Sequence, residues 1–235
     1  MRPIAILRFS PTEGPAYFAE WLDANDYPWE LIALDADGVV PDDPRAFSGI
    51  GMMGGPMSVN DALPWIAPVG ALLRKAVDAR VPVIGHCLGG QLLAQALGAQ
   101  VTRTPTPEIG WVDVSVCDVA AGREWFGGRT AFNAFQWHYE AFALPPGASR
   151  VLTNAFNVNQ AYVIDSRHIG FQCHIEMTRE LTETWLASGA AELPERSTSA
   201  VQSATDIRRD LDRRIATLGT LAADVYARWT QGLAR

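Results

Sequence analysis

The alternation of short apolar runs with amphipathic stretches in the first half most constrains what this chain can fold into. Residues 4–9, 29–34, 47–53 and 81–85 read as strands, and residues 15–24, 65–79 and 91–97 read as helices between or after them. In 15–24 the side chains of Phe18, Trp21 and Leu22 share one side. In 65–79 apolar residues fall at 66, 69, 72, 73, 76 and 77, a period near 3.6. Strand–helix alternation of this kind predicts a parallel sheet covered by helices on both faces. After Gly98 the long helices disappear. Residues 101–103, 111–116, 151–153, 160–164 and 169–173 are strand candidates that would extend the sheet with antiparallel members. Residues 178–187 return to helix, and 189–205 read as a loop rich in Ala, Ser, Glu and Pro. Residues 206–231 predict one long amphipathic helix with apolar positions at 207, 211, 215, 218, 221, 225 and 229. Its Arg208, Arg209, Arg213 and Arg214 would face solvent or a partner. No linker or repeat divides the chain, so 1–235 is expected to form a single domain.

Composition narrows the function classes. Of 235 residues, 48% are hydrophobic and 19% charged, enough for a sizeable core and too apolar for a disordered chain. The net charge of −7 gives no bulk attraction to nucleic acid. No apolar run approaches the ~20 residues of a membrane helix, and Arg8 comes too early for a signal peptide. Cys87, Cys117 and Cys173 are an odd, widely spaced set, which predicts reduced thiols in a cytoplasmic compartment.

The candidate chemistry begins at Gly85-His86-Cys87-Leu88-Gly89-Gly90-Gln91, between a predicted strand and a predicted helix. Small residues flank a nucleophile on such a tight turn because larger ones would strike adjacent elements. The turn exposes the Cys87 side chain at the sheet edge and aims the Leu88 N–H at a developing oxyanion. A thiol nucleophile needs an imidazole, and the imidazole needs an orienting acceptor. His174 and Glu176 lie at the end of a predicted strand, where residues i and i+2 share a face. Met53-Gly54-Gly55-Pro56 closes the third strand, and the Gly55 N–H is the natural second oxyanion donor. Cys173 and Cys117 read as core packing.

Together, Gly54-Gly55-Pro56, the Gly85–Gln91 segment and His174-Ile175-Glu176 resemble, in order and spacing, the class I glutamine amidotransferases. The similarity covers about residues 45–180. It implies a flavodoxin-like three-layer sandwich whose mostly parallel central sheet carries an antiparallel extension. It further implies Cys87 as nucleophile, His174 as base and acid, Glu176 as its orienting carboxylate, and an oxyanion hole from the Gly55 and Leu88 amides. Gln91 resembles the family glutamine that contacts the amino-acid end of the substrate. Phe135-Gln136-Trp137-His138-Tyr139-Glu140 resembles a substrate-binding loop of the amidotransferase domain of GMP synthetase. There Glu140 would meet the α-amino group and backbone near Tyr139 the α-carboxylate, with His138 beside them in a structural rather than a basic role. Departures are Tyr139 for Gly, Glu140 for Asp, Ile175 for Pro and Cys173 for an aromatic residue. Glu108-Ile109-Gly110 resembles the family's Glu-x-Gly segment, and reads as a strand start rather than a catalytic element.

The implied reaction is hydrolysis of a γ-glutamyl amide through a Cys87 thioester, with no metal and no cofactor. The substrate would be glutamine or another small γ-glutamyl compound. Three settings stay open: a subunit docking on a separate synthetase, a stand-alone hydrolase resembling the plant γ-glutamyl peptidases, and a non-catalytic relative of the fold. A homo-oligomer is compatible with each, and neither nucleic acid nor membrane is an expected partner.

Overall fold

In the computed structural model, which describes residues 1–233, the chain builds one nine-stranded sheet. Strands β1 (Ile4–Arg8), β2 (Trp29–Ala33), β3 (Gly49–Met52) and β4 (Val83–His86) pair in parallel, in the order β2-β1-β3-β4. Helices α1 (Ala16–Ala24), α2 (Ile66–Asp78) and α3 (Leu88–Ala96) form between or after them, as the alternation predicts. Strand β9 (His168–Phe171), late in the sequence, adds in parallel to β4, in the middle of the sheet. Beyond it, β8 (Ala161–Ile164), β7 (Ser149–Thr153), β5 (Val101–Val116) and β6 (Ala131–Phe142) pair antiparallel. The two sheet faces carry separate apolar clusters. Ile4 and Ile6 of β1 point into one, with Phe18, Trp21 and Leu22 of α1, while Leu7 points into the other with Val69, Leu72 and Leu73 of α2. This is the strand alternation made visible, and it gives the flavodoxin-like sandwich.

Several boundaries differ from the sequence reading. The two strands expected at 101–103 and 111–116 are one strand, β5, whose register against β6 shifts between Arg103 and Glu108. Pro105 and Pro107 lie in that stretch. A proline offers no N–H to the ladder, so pairing is interrupted without the strand ending. Segment 135–140, expected as a loop, is the interior of β6, paired to β5. The strand expected at 169–173 stops at Phe171, so His174 stands beyond it, held by its N–H donating to the Phe135 carbonyl at 2.8 Å. Helix α4 (Ala120–Phe126) was not anticipated; its short span buries Trp125 and Phe126.

Helix α5 (Arg179–Ser188) starts where Thr178 caps it, its side chain accepting from the Leu181 N–H. The long helix expected over 206–231 is instead α6 (Ala204–Arg208) and α7 (Leu211–Thr230). Between them Asp210 adopts φ 56°, a left-handed conformation that ends one helix and begins the next. Leu218, Leu221, Val225 and Trp229 of α7 pack into the same cluster as α1. Arg208 and Arg213 pair with Glu183 and Asp210 at the surface, whereas Arg214 lies over the Trp111 ring and bonds Asn133. The single domain expected over 1–235 extends to residues 234–235, which lie outside the described residues. Among the described residues no helix is long and apolar enough to cross a membrane.

Candidate active site

The residues singled out in the sequence converge at the C-terminal ends of adjacent parallel strands, where ligands bind in open α/β sheets. Cys87 follows β4 directly and precedes α3, with φ 47° and ψ −105°. For a residue with a Cβ this backbone costs on the order of 1–3 kcal/mol, held in place by its surroundings. Those surroundings leave no space for larger neighbours. A Cβ on Gly85 would lie 2.4 Å from the Gly89 carbonyl carbon, and one on Gly90 2.3 Å from the Phe171 oxygen of β9. The glycines therefore let the elbow sit tightly between β4 and β9. They also set the distance between the segment carrying Cys87 and the one carrying His174.

His174 and Glu176 form a buried pair, with Nδ1 and Oε1 2.6 Å apart. Burial alone would lower the imidazole, yet the Glu176 carboxylate and the neighbouring Cys87 raise it well above its ordinary value. Burial likewise opposes the charge on Glu176, but His174 and then His86 outweigh it and bring the carboxyl down to about 2. Glu176 Oε2 has no hydrogen-bond partner and faces His86 Nε2 at 3.9 Å. His86 in turn contacts the Met52 carbonyl through Nδ1 at 3.2 Å and the Tyr226 hydroxyl through Nε2 at 3.3 Å. The residue before Cys87 thus links the end of β3, helix α7 and the far side of Glu176, a role the sequence did not suggest.

The Cys87 thiol lies at 4.0 Å from the Trp137 carbonyl and accepts from Gln172 Nε2 at 3.6 Å. Leu88 opens α3, and a Cβ on Gly55 would meet the Leu88 Cδ2 at 2.7 Å, so the two amide-bearing residues are neighbours. Among the described residues neither the Gly55 nor the Leu88 N–H donates to a backbone carbonyl outside the regular elements.

The expected substrate residues line one open cavity of about 690 Å³ together with Gly55, Cys87 and His174. Gln91 is buried and donates to the Glu140 carbonyl at 3.1 Å and to Gln172 Oε1 at 3.2 Å. The Glu140 carboxylate accepts from Ser58 Oγ at 2.7 Å. His138 is buried between the Glu140 carbonyl, 3.0 Å from Nδ1, and Glu108, 3.4 Å from Nε2. Glu108 is itself fully buried and accepts from Gln160 at 2.9 Å. The Tyr139 hydroxyl and the Trp137 indole N–H both donate to Glu192. Glu13, Gln172 and Glu192 were missed in the sequence. Glu13 was the most legible of them in the sequence, a carboxyl between Pro11 and Pro15 just after the first strand. Cys173 is fully buried in the core, as expected, and Cys117 is half-buried. Among the described residues no group of three His, Cys, Asp or Glu side chains could hold a metal ion.

Comparison with known proteins decides the family. The family model for glutamine amidotransferase class-I matches residues 22–190. The chain belongs to the class I glutamine amidotransferases. A crystal structure of a glutamine amidotransferase from Methylobacillus flagellatus is 47% identical, with a TM-score of 0.97, covering 100% of this chain and 96% of its own. A glutamine amidotransferase-like protein of Salmonella typhimurium is 27% identical over 189 residues, covering 77% of this chain and 78% of that one. The glutamine-hydrolysing GMP synthase of Aeropyrum pernix is 34% identical over 150 residues, 61% of this amidotransferase. The match spans only 28% of that synthase's length.

Proposed function

We propose that this amidotransferase hydrolyses the γ-amide of glutamine, or of a γ-glutamyl compound, through a thioester on Cys87. One observation carries the reading. Cys87, on its strained elbow, lines one cavity with His174, whose Nδ1 lies 2.6 Å from the buried Glu176 carboxylate, and this supports the triad reading. In this mechanism the Cys87 sulfur attacks the side-chain carbonyl carbon, and the oxyanion forms against the Gly55 and Leu88 amides. Each such donor is worth on the order of 10²–10³ in rate. His174 gives its proton to the leaving nitrogen as the C–N bond breaks. It then takes a proton from the water that attacks the thioester, and glutamate leaves. Glu176 holds the ring and stabilises its charged form. Glu140, set by Ser58, accepts from the α-amino group, while Gln91 fixes the backbone of Glu140 rather than reaching into open space.

Substituting Cys87 with Ala should abolish glutamate release from glutamine and γ-glutamyl dipeptides while far-UV circular dichroism stays unchanged. Retained turnover in that variant would remove the nucleophile. A second reading draws on the GMP synthase relatives, one of them named as a subunit: the ammonia released here would pass to a synthetase. Turnover by the purified chain alone, across glutamine, γ-glutamyl dipeptides and glutathione conjugates, favours the hydrolase. Turnover that begins only when a synthetase is added favours the subunit.

A further inference from the structure

A group of side chains in the cavity gathers on His174 rather than on Gln91, and the mechanism above leaves it unused. Its centre is Glu13, on the segment between β1 and α1. A point one Cβ bond out from Gly54 lies 2.8 Å from Glu13 Oε2 and 3.0 Å from His174 Cε1, so carboxyl and imidazole edge flank the same spot. The segment is tied down at both ends. The Trp185 indole donates to the Thr12 carbonyl at 2.9 Å, and the Trp185 ring stands edge-on to His174 with centroids 4.6 Å apart. On the other side, the Tyr17 N–H donates to the Glu176 carbonyl at 3.0 Å. Ala16 between them takes φ 42°, a conformation costly for a residue with a Cβ and kept here by those two anchors. A strained loop thus delivers one half-buried carboxyl to the edge of the catalytic ring. Burial and the charges of His174 and Glu176 act on that carboxyl, and among the described residues no hydrogen-bond donor shifts it.

The geometry points to Glu13 as the leaving-group end of the site, accepting an N–H of the scissile amide as its nitrogen departs. The inference rests on the γ-glutamyl hydrolysis proposed above. If His174 protonates the leaving nitrogen, that nitrogen sits at the ring, and a Glu13 oxygen flanks the same spot as the ring's Cε1 edge. An amide NH₂ becoming ammonia carries N–H donors that need an acceptor once water is displaced. Burial, opposed by His174 and reinforced by Glu176, pushes the Glu13 carboxyl up to about 8. Its oxygens can thus receive an N–H near neutral pH without placing a full second negative charge beside Glu176. The proposal adds no covalent step: the C–S bond forms, the C–N bond breaks, and the proton on nitrogen still comes from His174.

The test compares wild type, Glu13→Ala and Glu13→Gln on two substrates that deliver the same acyl group. One is glutamine. The other is the γ-methyl ester of glutamate, whose leaving methanol has no N–H. Glu13→Ala should lower kcat/KM for glutamine about tenfold or more, the worth of one such hydrogen bond, and for the ester less than about threefold. Glu13→Gln, which keeps an oxygen acceptor, should recover most of the loss. Equal losses on both substrates, or none on either, would overturn the leaving-group role while γ-glutamyl hydrolysis stands. A wild type that releases glutamate from neither substrate, and forms no γ-glutamyl adduct on Cys87 by intact mass, would overturn both.

Discussion

Two carboxyls a short distance from His174 are driven in opposite directions. Glu176, paired with two imidazoles, is brought down to about 2, so it stabilises the fold while ionised, and that contribution is lost as pH falls from about 4.5 towards 2. Glu13, raised to about 8, binds its proton more tightly in the folded chain than in the unfolded one. Its linkage therefore has the opposite sign: stability is eroded as pH rises from about 4.5 to 8. The charges facing it are those of His174 and Glu176. Glu13→Gln should thus raise Tm relative to wild type by a margin that grows between pH 5 and pH 8 in differential scanning fluorimetry. A constant margin would mean the carboxyl titrates normally. Glu140→Ala should raise KM for glutamine more than it lowers kcat, because it removes an interaction made equally in the ground state and the transition state. An unchanged KM in steady-state assays would take the α-amino contact away from Glu140.

At the scale of the elements, legibility followed period and punctuation. Helices α1 and α2 could be read because their apolar residues repeat at helical spacing, and the Cys87 turn because small residues crowd it. Segment 135–140 could not be read as a strand. Gln136 and His138 are polar yet buried, with Gln160 bonded to the first and Glu108 lying 3.4 Å from the second, and partners at that distance in sequence leave no local mark. The proximity of His174 and Glu176 was anticipated for a reason that holds only in part. They meet beyond the end of β9, and the bond from His174 to β6 fixes the backbone there. The break before α7 was hidden because apolar spacing runs on through Asp210 while the backbone does not. Gly90→Ala tests the β4–β9 fit. Its methyl would press on the Phe171 carbonyl, costing about 1–3 kcal/mol in urea denaturation and lowering turnover further than that loss of folded protein explains.

Across the whole molecule the C-terminal helix supports the site from behind. Tyr226 reaches His86, and Trp229, also fully buried, packs edge-on against Phe18. Trp229→Ala should cost about 3–5 kcal/mol of stability by denaturant unfolding while the remaining folded fraction keeps its KM, because the ring packs in the core and is not among the cavity's lining residues. A KM that moved with stability would place α7 nearer to the substrate than its packing indicates.

The sheet order also bears on how the protein is made. Because β9 is threaded between β4 and β8, His174 takes its place beside the Cys87 elbow only after 87 further residues have left the ribosome. A nascent polypeptide halted before that point carries Cys87 without the imidazole proposed to activate it. On the proposed mechanism, reactivity thus arrives with the closing of the sheet.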